Sequence, residues 1–315
     1  MKEPSHDNPK SVIVSGGSGF IGKPLCRALM AGGYRVTVLT RGASRPLSAD
    51  PEGALPEYVT WDGHSGAGWG HLADGAHALV NLAGEGIAEG RWTPERKSRI
   101  LQSRVHAGQA MLAAVAQAAV KPRVFIQGSG VGYYGDTGDE AVDESSPPGS
   151  GFLTDVCLEW EASTRAVEDL GVRWVVLRMG LVMGRGGGVL QKMLTPFRLF
   201  VGGPLGEGNQ GIPWIHMEDA VRAIVFLLEN EAAAGPYNLT APEAVSNLDF
   251  CRYLGRAMSR PCGLAVPAAA LRLAMGELAD ELLLSGCRAF PKRLVELGFE
   301  FRHPRLAEAL KELMA

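Results

Sequence analysis

The stretch SVIVSGGSGFIG, residues 11–22, carries the spacing closest to a known chemistry. Gly16, Gly19 and Gly22 recur every third residue, directly after an apolar run and at the start of a helical pattern. In that setting Gly16 permits a tight turn, Gly19 lets backbone approach a pyrophosphate, and Gly22 lets the helix pack closely on the strand. The turn Gly16, Gly17, Ser18, Gly19, Phe20, Ile21 and Gly22 would offer free N–H groups and the positive end of a helix dipole to phosphates. A glycine-rich turn with no ligand is the alternative, and the strand before it and the helix after it weigh against that.

The second strand decides which dinucleotide fits. An NAD site carries Asp or Glu there for the ribose 2′-hydroxyl. Here the strand ends Val38, Leu39, Thr40, Arg41, with Arg45 following and no carboxylate. A forked, charge-assisted contact from Arg41 to a 2′-phosphate predicts NADP(H), against the alternative of a solvated loop arginine. NLAG supplies Leu82, Ala83 and Gly84 at the end of a further strand, where small residues allow adenosine or ribose to come close. In the helix that follows, the expected core stripe is Leu101, Val105, Leu112 and Val115, with Arg104 on its flank. A partly buried arginine needs an anion. Cofactor phosphates and a structural glutamate are both open as that anion.

These groups need a scaffold. SVIVS (11–15), YRVTVLT (34–40), YVTW (58–61), HALVNLA (77–83), RVFIQG (123–128) and VRWVVLRMG (172–180) read as strands, apolar on both faces. Helical patterns at about 20–32, 94–119 and 152–170 alternate with them, which predicts an α/β class with a Rossmann-type, doubly wound parallel sheet. In the last of these, Leu153, Val156, Cys157, Trp160 and Val167 form the apolar face. Beyond about 184 glycine-rich loops surround a helical QKMLTPFRLF, a helix runs from Met217 to Glu229, and GPYNLT reads as one more strand. The rest is helical, including VPAAALRLAMGELADELLLSG as one stretch. The expected division is a loose leader over 1–10, a dinucleotide-binding core over 11–183, and a smaller, mostly helical C-terminal lobe over 184–315, interleaved with the core.

Of 315 residues 46% are hydrophobic and 21% charged, with a net charge of −3, too little basic excess for nucleic acid as the main partner. The apolar runs are broken by arginine before a bilayer could be spanned, and the opening lacks a signal-peptide core, so cytoplasm is the expected compartment. Five cysteines with no CxxC spacing and seven scattered histidines predict neither a disulfide framework nor a metal site. A small-molecule substrate is expected, and homo-oligomer formation is left open.

GGSGFIG, NLAG, GSGVGYYG, LRMGLVMG and WIHMEDAV together resemble the extended, sugar-epimerase-like branch of the short-chain dehydrogenase/reductase superfamily. NLAGEGIAEGRWTPERK, FLTDVCLEWEA, GRGGGVLQKMLTPFRL and PKRLVELGFEFRHPRLAEAL are similar to an atypical, epimerase-like family, and the likeness covers about residues 11–314. The resemblance implies a Rossmann-type fold, NADP(H), and Val182 against the nicotinamide. It also implies a Ser or Thr, a Tyr and a Lys as the proton-handling set. Ser129 matches the serine, but Leu153 and Cys157 stand where the Tyr and Lys belong, and 136–170 contains neither residue. Cys157 then reads as a buried thiol beside Trp160. Tyr134, with Tyr133 before it, and His216 are the remaining proton-handling candidates, and Ser129 and Tyr134 are the catalytic residues expected. Arg91, Trp92 and Trp214 are expected to hold substrate. The reading is an NADP(H)-binding, epimerase-like oxidoreductase for a small hydroxyl or carbonyl compound, sugar-derived ones included. The alternative is a non-catalytic NADP(H)-binding redox sensor, and a third reading, an epimerase that retains NAD⁺, is opposed by Arg41.

Overall fold

The computed structural model describes residues 10–42 and 55–315; most of the expected leader, and Arg45, lie outside them. The first half alternates strand and helix: β1 (Ser11–Ser15), α1 (Gly22–Ala31), β2 (Arg35–Thr40), β3 (Glu57–Thr60), β4 (Ala78–Asn81), α2 (Pro94–Gln117) and β5 (Val124–Gly130). A short β6 (Ala141–Val142) precedes α3 (Phe152–Arg165), β7 (Arg173–Met179) and β8 (Leu181–Met183). Then come α4 (Gly188–Arg198), β9 (Gly211–Ile212), β10 (Trp214–His216), α5 (Met217–Glu229), β11 (Gly235–Leu239), β12 (Val245–Ser246) and α6 (Asn247–Met258). α7 (Ala268–Met275), β13 (Arg288–Ala289), α8 (Lys292–Glu296) and α9 (Leu306–Met314) complete the chain.

Seven parallel strands form one sheet in the order β11-β7-β5-β4-β1-β2-β3. The order reverses between β1 and β4, the switch point at whose carboxyl edge open α/β sheets bind ligands. Alternation along the strands fills both faces. Val12 and Val14 join Leu25 of α1 and Ile224 of α5 on one side. Ile13, Leu79 and Phe125 join Met111 of α2 on the other. Burying each such side chain contributes about 1.5–3 kcal/mol, so the two-sided apolar strands that identified a covered sheet also hold it together. No helix among the described residues is long and apolar enough to cross a membrane.

Three local expectations change. The buried stripe of α2 is Ile100, Ala107, Gly108, Ala110, Met111, Ala114 and Val115, so of the expected stripe only Val115 is fully buried; small residues let α3 come close, and a Cβ at Gly108 would lie 2.1 Å from Ser163 Oγ. α3 stops at Arg165, and only a 3₁₀ turn over Glu168–Leu170 continues it. The long C-terminal helix breaks at Gly276 (φ +63°), leaving α7 and a π-helical turn, Ala279–Leu284. That turn reaches the core: the Glu281 carboxylate accepts from the N–H groups of Phe152 (3.1 Å) and Leu153 (3.2 Å), capping α3 from 128 or more residues away.

Candidate dinucleotide site

Register brings the predicted groups to one edge. Ser15 is level with Leu39 of β2 and Asn81 of β4, and Asn81 with Gln127 of β5. A buried polar chain locks these ends together: Ser15 Oγ donates to Asn81 Oδ1 (2.7 Å), and Asn81 Nδ2 donates to Gln127 Oε1 (3.0 Å). Asn81 Oδ1 also accepts from the Ala83 N–H (3.3 Å), which shapes the Leu82–Gly84 backbone.

Above that edge opens a cavity of about 360 Å³ lined by Gly16, Ser18, Gly19, Thr40, Arg41, Leu82, Ala83 and Gly84. Eight of the predicted cofactor residues therefore converge on one space. The turn is a cradle that side chains would fill. Gly16 has φ +73°, and a Cβ on it would lie 2.6 Å from Leu82 O; a Cβ on Gly22 would lie 2.2 Å from Gly16 O. The fit to a pyrophosphate rests on this closeness and on the opening of α1 beyond it. Gly17, Phe20, Ile21, Gly22 and Val182 do not line the cavity. A Cβ at Gly17 would meet Val38, Ile21 packs against the core, and Gly22 and Val182 are buried, Val182 beside Ile215. Phe20 turns the other way, under the 184–188 loop, where a Cβ on Gly187 or Gly188 would come within 2.7 or 2.6 Å of its ring.

Sequence reasoning missed Trp61, Asp62, His64, Gln102, Ser103 and His106 on the cavity wall. The first three follow β3, and WDGH after a strand at the carboxyl edge was the available signal. Asp62 is tied into its own turn by Ser65 and His64 N–H groups, and the Ser65 hydroxyl and these amides hold its carboxyl down at about 2. Arg41 is exposed at the mouth.

The expected proton-handling residues are not on this wall. Ser129 is 2% exposed and its hydroxyl donates to Glu161 Oε1 (2.7 Å). Glu161 in turn takes a forked pair from Arg178, Nε to Oε1 (3.0 Å) and Nη2 to Oε2 (3.1 Å). Tyr134 is likewise sealed: its hydroxyl donates to Asn238 Oδ1 (2.7 Å), accepts from Arg178 Nη1 (3.2 Å), and is pushed up to about 12, chiefly by burial. Both hydroxyls therefore join β5 and α3 to β7 and β11. Tyr133 is only partly buried and lies flat on Arg178, 3.3 Å from its Cζ to the ring centre. Cys157 is buried as expected; burial pushes its thiol up to about 11, and Sγ faces Gly130 O at 3.4 Å.

Trp92 and Trp214, expected at the substrate, are buried, donating indole N–H groups to Ile87 O and Glu243 O. Arg91 is exposed and bonds the carbonyls of Leu273 and Ala274 on α7. Arg104 donates through Nη1 to Glu85 O (3.0 Å) and Ile100 O (2.8 Å), stacks 4.9 Å over Trp160, and is drawn down to about 10 by burial.

His216, Glu218 and His303 place three metal-capable groups within 4.8 Å of one another, a grouping the scattered spacing in sequence did not reveal. Hydrogen bonding opposes a metal there. His216 Nδ1 accepts from the Glu218 N–H (3.3 Å) as the cap of α5, which puts the ring proton on Nε2, 3.0 Å from Glu312 Oε2. The pair instead fastens α9 to the start of α5.

Residues 12–240 match the NAD dependent epimerase/dehydratase family, and residues 266–313 match a domain of unknown function, DUF1731. The chain is 40% identical over 299 residues to the epimerase family protein Mb2239 of Mycobacterium bovis, covering 95% of this chain and 96% of that protein. It is 35% identical to the human epimerase family protein SDR39U1, covering 96% and 99%. A crystal structure of human SDR39U1 (isoform 2) with NADPH superposes with a TM-score of 0.86 at 34% identity, covering 96% of this chain and 99% of that one.

Proposed function

This chain belongs to the NAD dependent epimerase/dehydratase family, and on that premise we propose that it binds NADP(H) and acts as an epimerase-like oxidoreductase on a small hydroxyl or carbonyl compound. One observation carries the cofactor assignment: the cavity combines the glycine turn with Arg41, and no carboxylate stands at the end of β2. The human relative crystallised with NADPH supports it. When bound, NADP(H) supplies hydride transfer at its nicotinamide. The turn Gly16–Gly19 holds the phosphates, Arg41 pairs with the 2′-phosphate, and Leu82–Gly84 lie against the ribose. Ser129 and Tyr134 hold the floor of the site rigid rather than moving protons, and the buried Cys157 thiol stays protonated at neutral pH.

Titration with NADPH and NADH, followed by nicotinamide fluorescence, tests this. NADPH should bind at least about tenfold more tightly, and Arg41→Gln should remove that preference, because a hydrogen bond to a charged group contributes about 1.5–3 kcal/mol. Equal affinities in the wild type would sink the NADP(H) assignment. A carbonyl and sugar-nucleotide screen then tests the oxidoreductase. NADPH binding with no turnover of any compound would move the protein to the non-catalytic class.

A further inference from the structure

Two connections in the C-terminal half leave apolar side chains in water. Leu199, Phe200 and Val201, directly after α4, are exposed, and Leu264, between α6 and α7, is 94% exposed. Single apolar residues on a surface are ordinary, but these belong to neighbouring segments. The Gly263 N–H donates to Gly202 O (2.7 Å), a Cβ on Gly203 would lie 2.3 Å from Leu264 O, and Arg260 Cζ stands 4.5 Å over the Phe200 ring.

Phe200 is held there at a cost. Its N–H donates to Phe197 O (3.0 Å) and that of Val201 to Pro196 O (2.9 Å), the paired bonds that end a helix on a left-handed residue. Glycine is the ordinary choice for that position, yet Phe200 occupies it with φ +62°. Among the described residues Ser259 (φ +54°), next to Arg260, is the other non-glycine residue with positive φ. A strained aromatic that fills no core calls for a partner outside the chain.

Charge says which partner. Residues 188–206 and 250–276 contain six basic side chains, Lys192, Arg198, Arg252, Arg256, Arg260 and Arg272, and no aspartate or glutamate, in a chain of net charge −3. Arg252 and Arg272 pair with Asp249 and Asp280 outside these segments. Among the described residues no carboxylate lies within 4.0 Å of Arg198, Arg256 or Arg260. Apolar tips backed by unpaired arginines match an interface where hydrocarbon lies beneath anionic headgroups. The tips enter the acyl boundary, and the guanidinium groups stay among the phosphates. A second copy of the chain fits less well, because a two-fold contact sets the same arginines against one another.

We propose that this face docks on an anionic lipid bilayer, entered by Leu199, Phe200, Val201 and Leu264 and held by Arg198, Arg256 and Arg260. The contact is peripheral, made by loop tips.

Co-sedimentation of the full chain with vesicles tests this, using phosphatidylcholine alone and phosphatidylcholine with phosphatidylserine in equal parts. The wild type should bind the mixed vesicles and not the neutral ones. Phe200→Gly relieves the left-handed strain and keeps the helix cap, so its unfolding midpoint should not fall. Its vesicle affinity should drop tenfold or more, as should that of Leu264→Ser. Each arginine near an anionic surface contributes roughly fivefold, so Arg198→Gln, Arg256→Gln and Arg260→Gln together should cost about a hundredfold. Wild-type binding that is equal on both vesicles, or absent from both, overturns the proposal. So does unchanged vesicle affinity in either Phe200→Gly or the triple arginine variant. Sedimentation velocity on the free protein covers the other occupant: a wild-type oligomer that Phe200→Gly dissociates, with no vesicle binding, gives the face to a second copy and overturns the lipid assignment.

Discussion

Replacing Glu161 by Gln keeps the side chain's volume and removes one charge from the floor of the site. Arg178, whose side chain is 5% exposed, then loses its counter-charge while staying buried. Taking away one member of a buried ion pair costs about 3–5 kcal/mol. With an unfolding entropy of about 2.1 cal/mol/K per residue over 315 residues, the unfolding midpoint should fall by about 5–8 °C. Calorimetry at two scan rates would measure it and show whether the transition is reversible. Adding Arg178→Met should recover much of the loss, because replacing a whole buried pair with apolar groups is often neutral. Ser129→Ala removes a hydrogen bond to a charged acceptor, about 1.5–3 kcal/mol, and should lower the midpoint by about 2–5 °C with NADPH affinity unchanged. A fall of less than about 1 °C for Glu161→Gln, or strict additivity with Arg178→Met, would refute the reasoning.

Gly22→Ala places a methyl 2.2 Å from Gly16 O and 2.6 Å from Gly17 Cα, both backbone. It should cost at least about 1–3 kcal/mol and weaken NADPH binding; a variant that unfolds and binds like wild type would contradict the packing of the turn. Burial first, and the neighbouring His303 second, hold His216 below the ordinary histidine value, against the pull of Glu312. The unfolded chain then takes up more protons than the folded one below about pH 6.5, so stability should fall as the pH drops and level off below the folded-state value. His216→Asn, which keeps a capping acceptor, should flatten that slope in midpoints measured from about pH 7 to 5, and an unchanged slope would clear His216. Burial pushes the thiols of Cys26, Cys251 and Cys287 up to about 12 and that of Cys157 to about 11, while Cys262 is partly exposed. In a native-state thiol assay near neutral pH, Cys262 should react first, and fast labelling of Cys157 would argue for an open cleft beside α3.

What the sequence made legible was local. Strand runs and the glycine turn depend on neighbours within a few residues, and SVIVS begins and ends where it was read. Arg41 was legible because the dinucleotide edge is defined by strand order alone. The Glu161–Arg178–Tyr134 network was not, since its members come from α3, β7 and the turn after β5, and nothing in their spacing pairs them. The burial of Trp92 and Trp214 was not legible, because an aromatic in a glycine-rich stretch looks available until the lobe closes over it. Of the expected α2 stripe Val115 is fully buried, whereas Leu101, Val105 and Leu112 are only partly so, because much of the buried face is alanine and glycine, which carry little hydropathic signal.

β11 is the outermost strand on its side of the sheet, and it comes from the far side of α4 and α5. Five registered pairs, Gly235 with Val175 through Leu239 with Met179, cover the edge of β7. A fragment ending near residue 183 would leave that edge bare, a row of unpaired amides and carbonyls next to buried valines and leucines. During synthesis the same edge stays open for some sixty residues, until Leu239 leaves the ribosome. The nucleotide fold is therefore finished by the segment that follows it, and release of a soluble core by proteolysis between β8 and β11 is not to be expected.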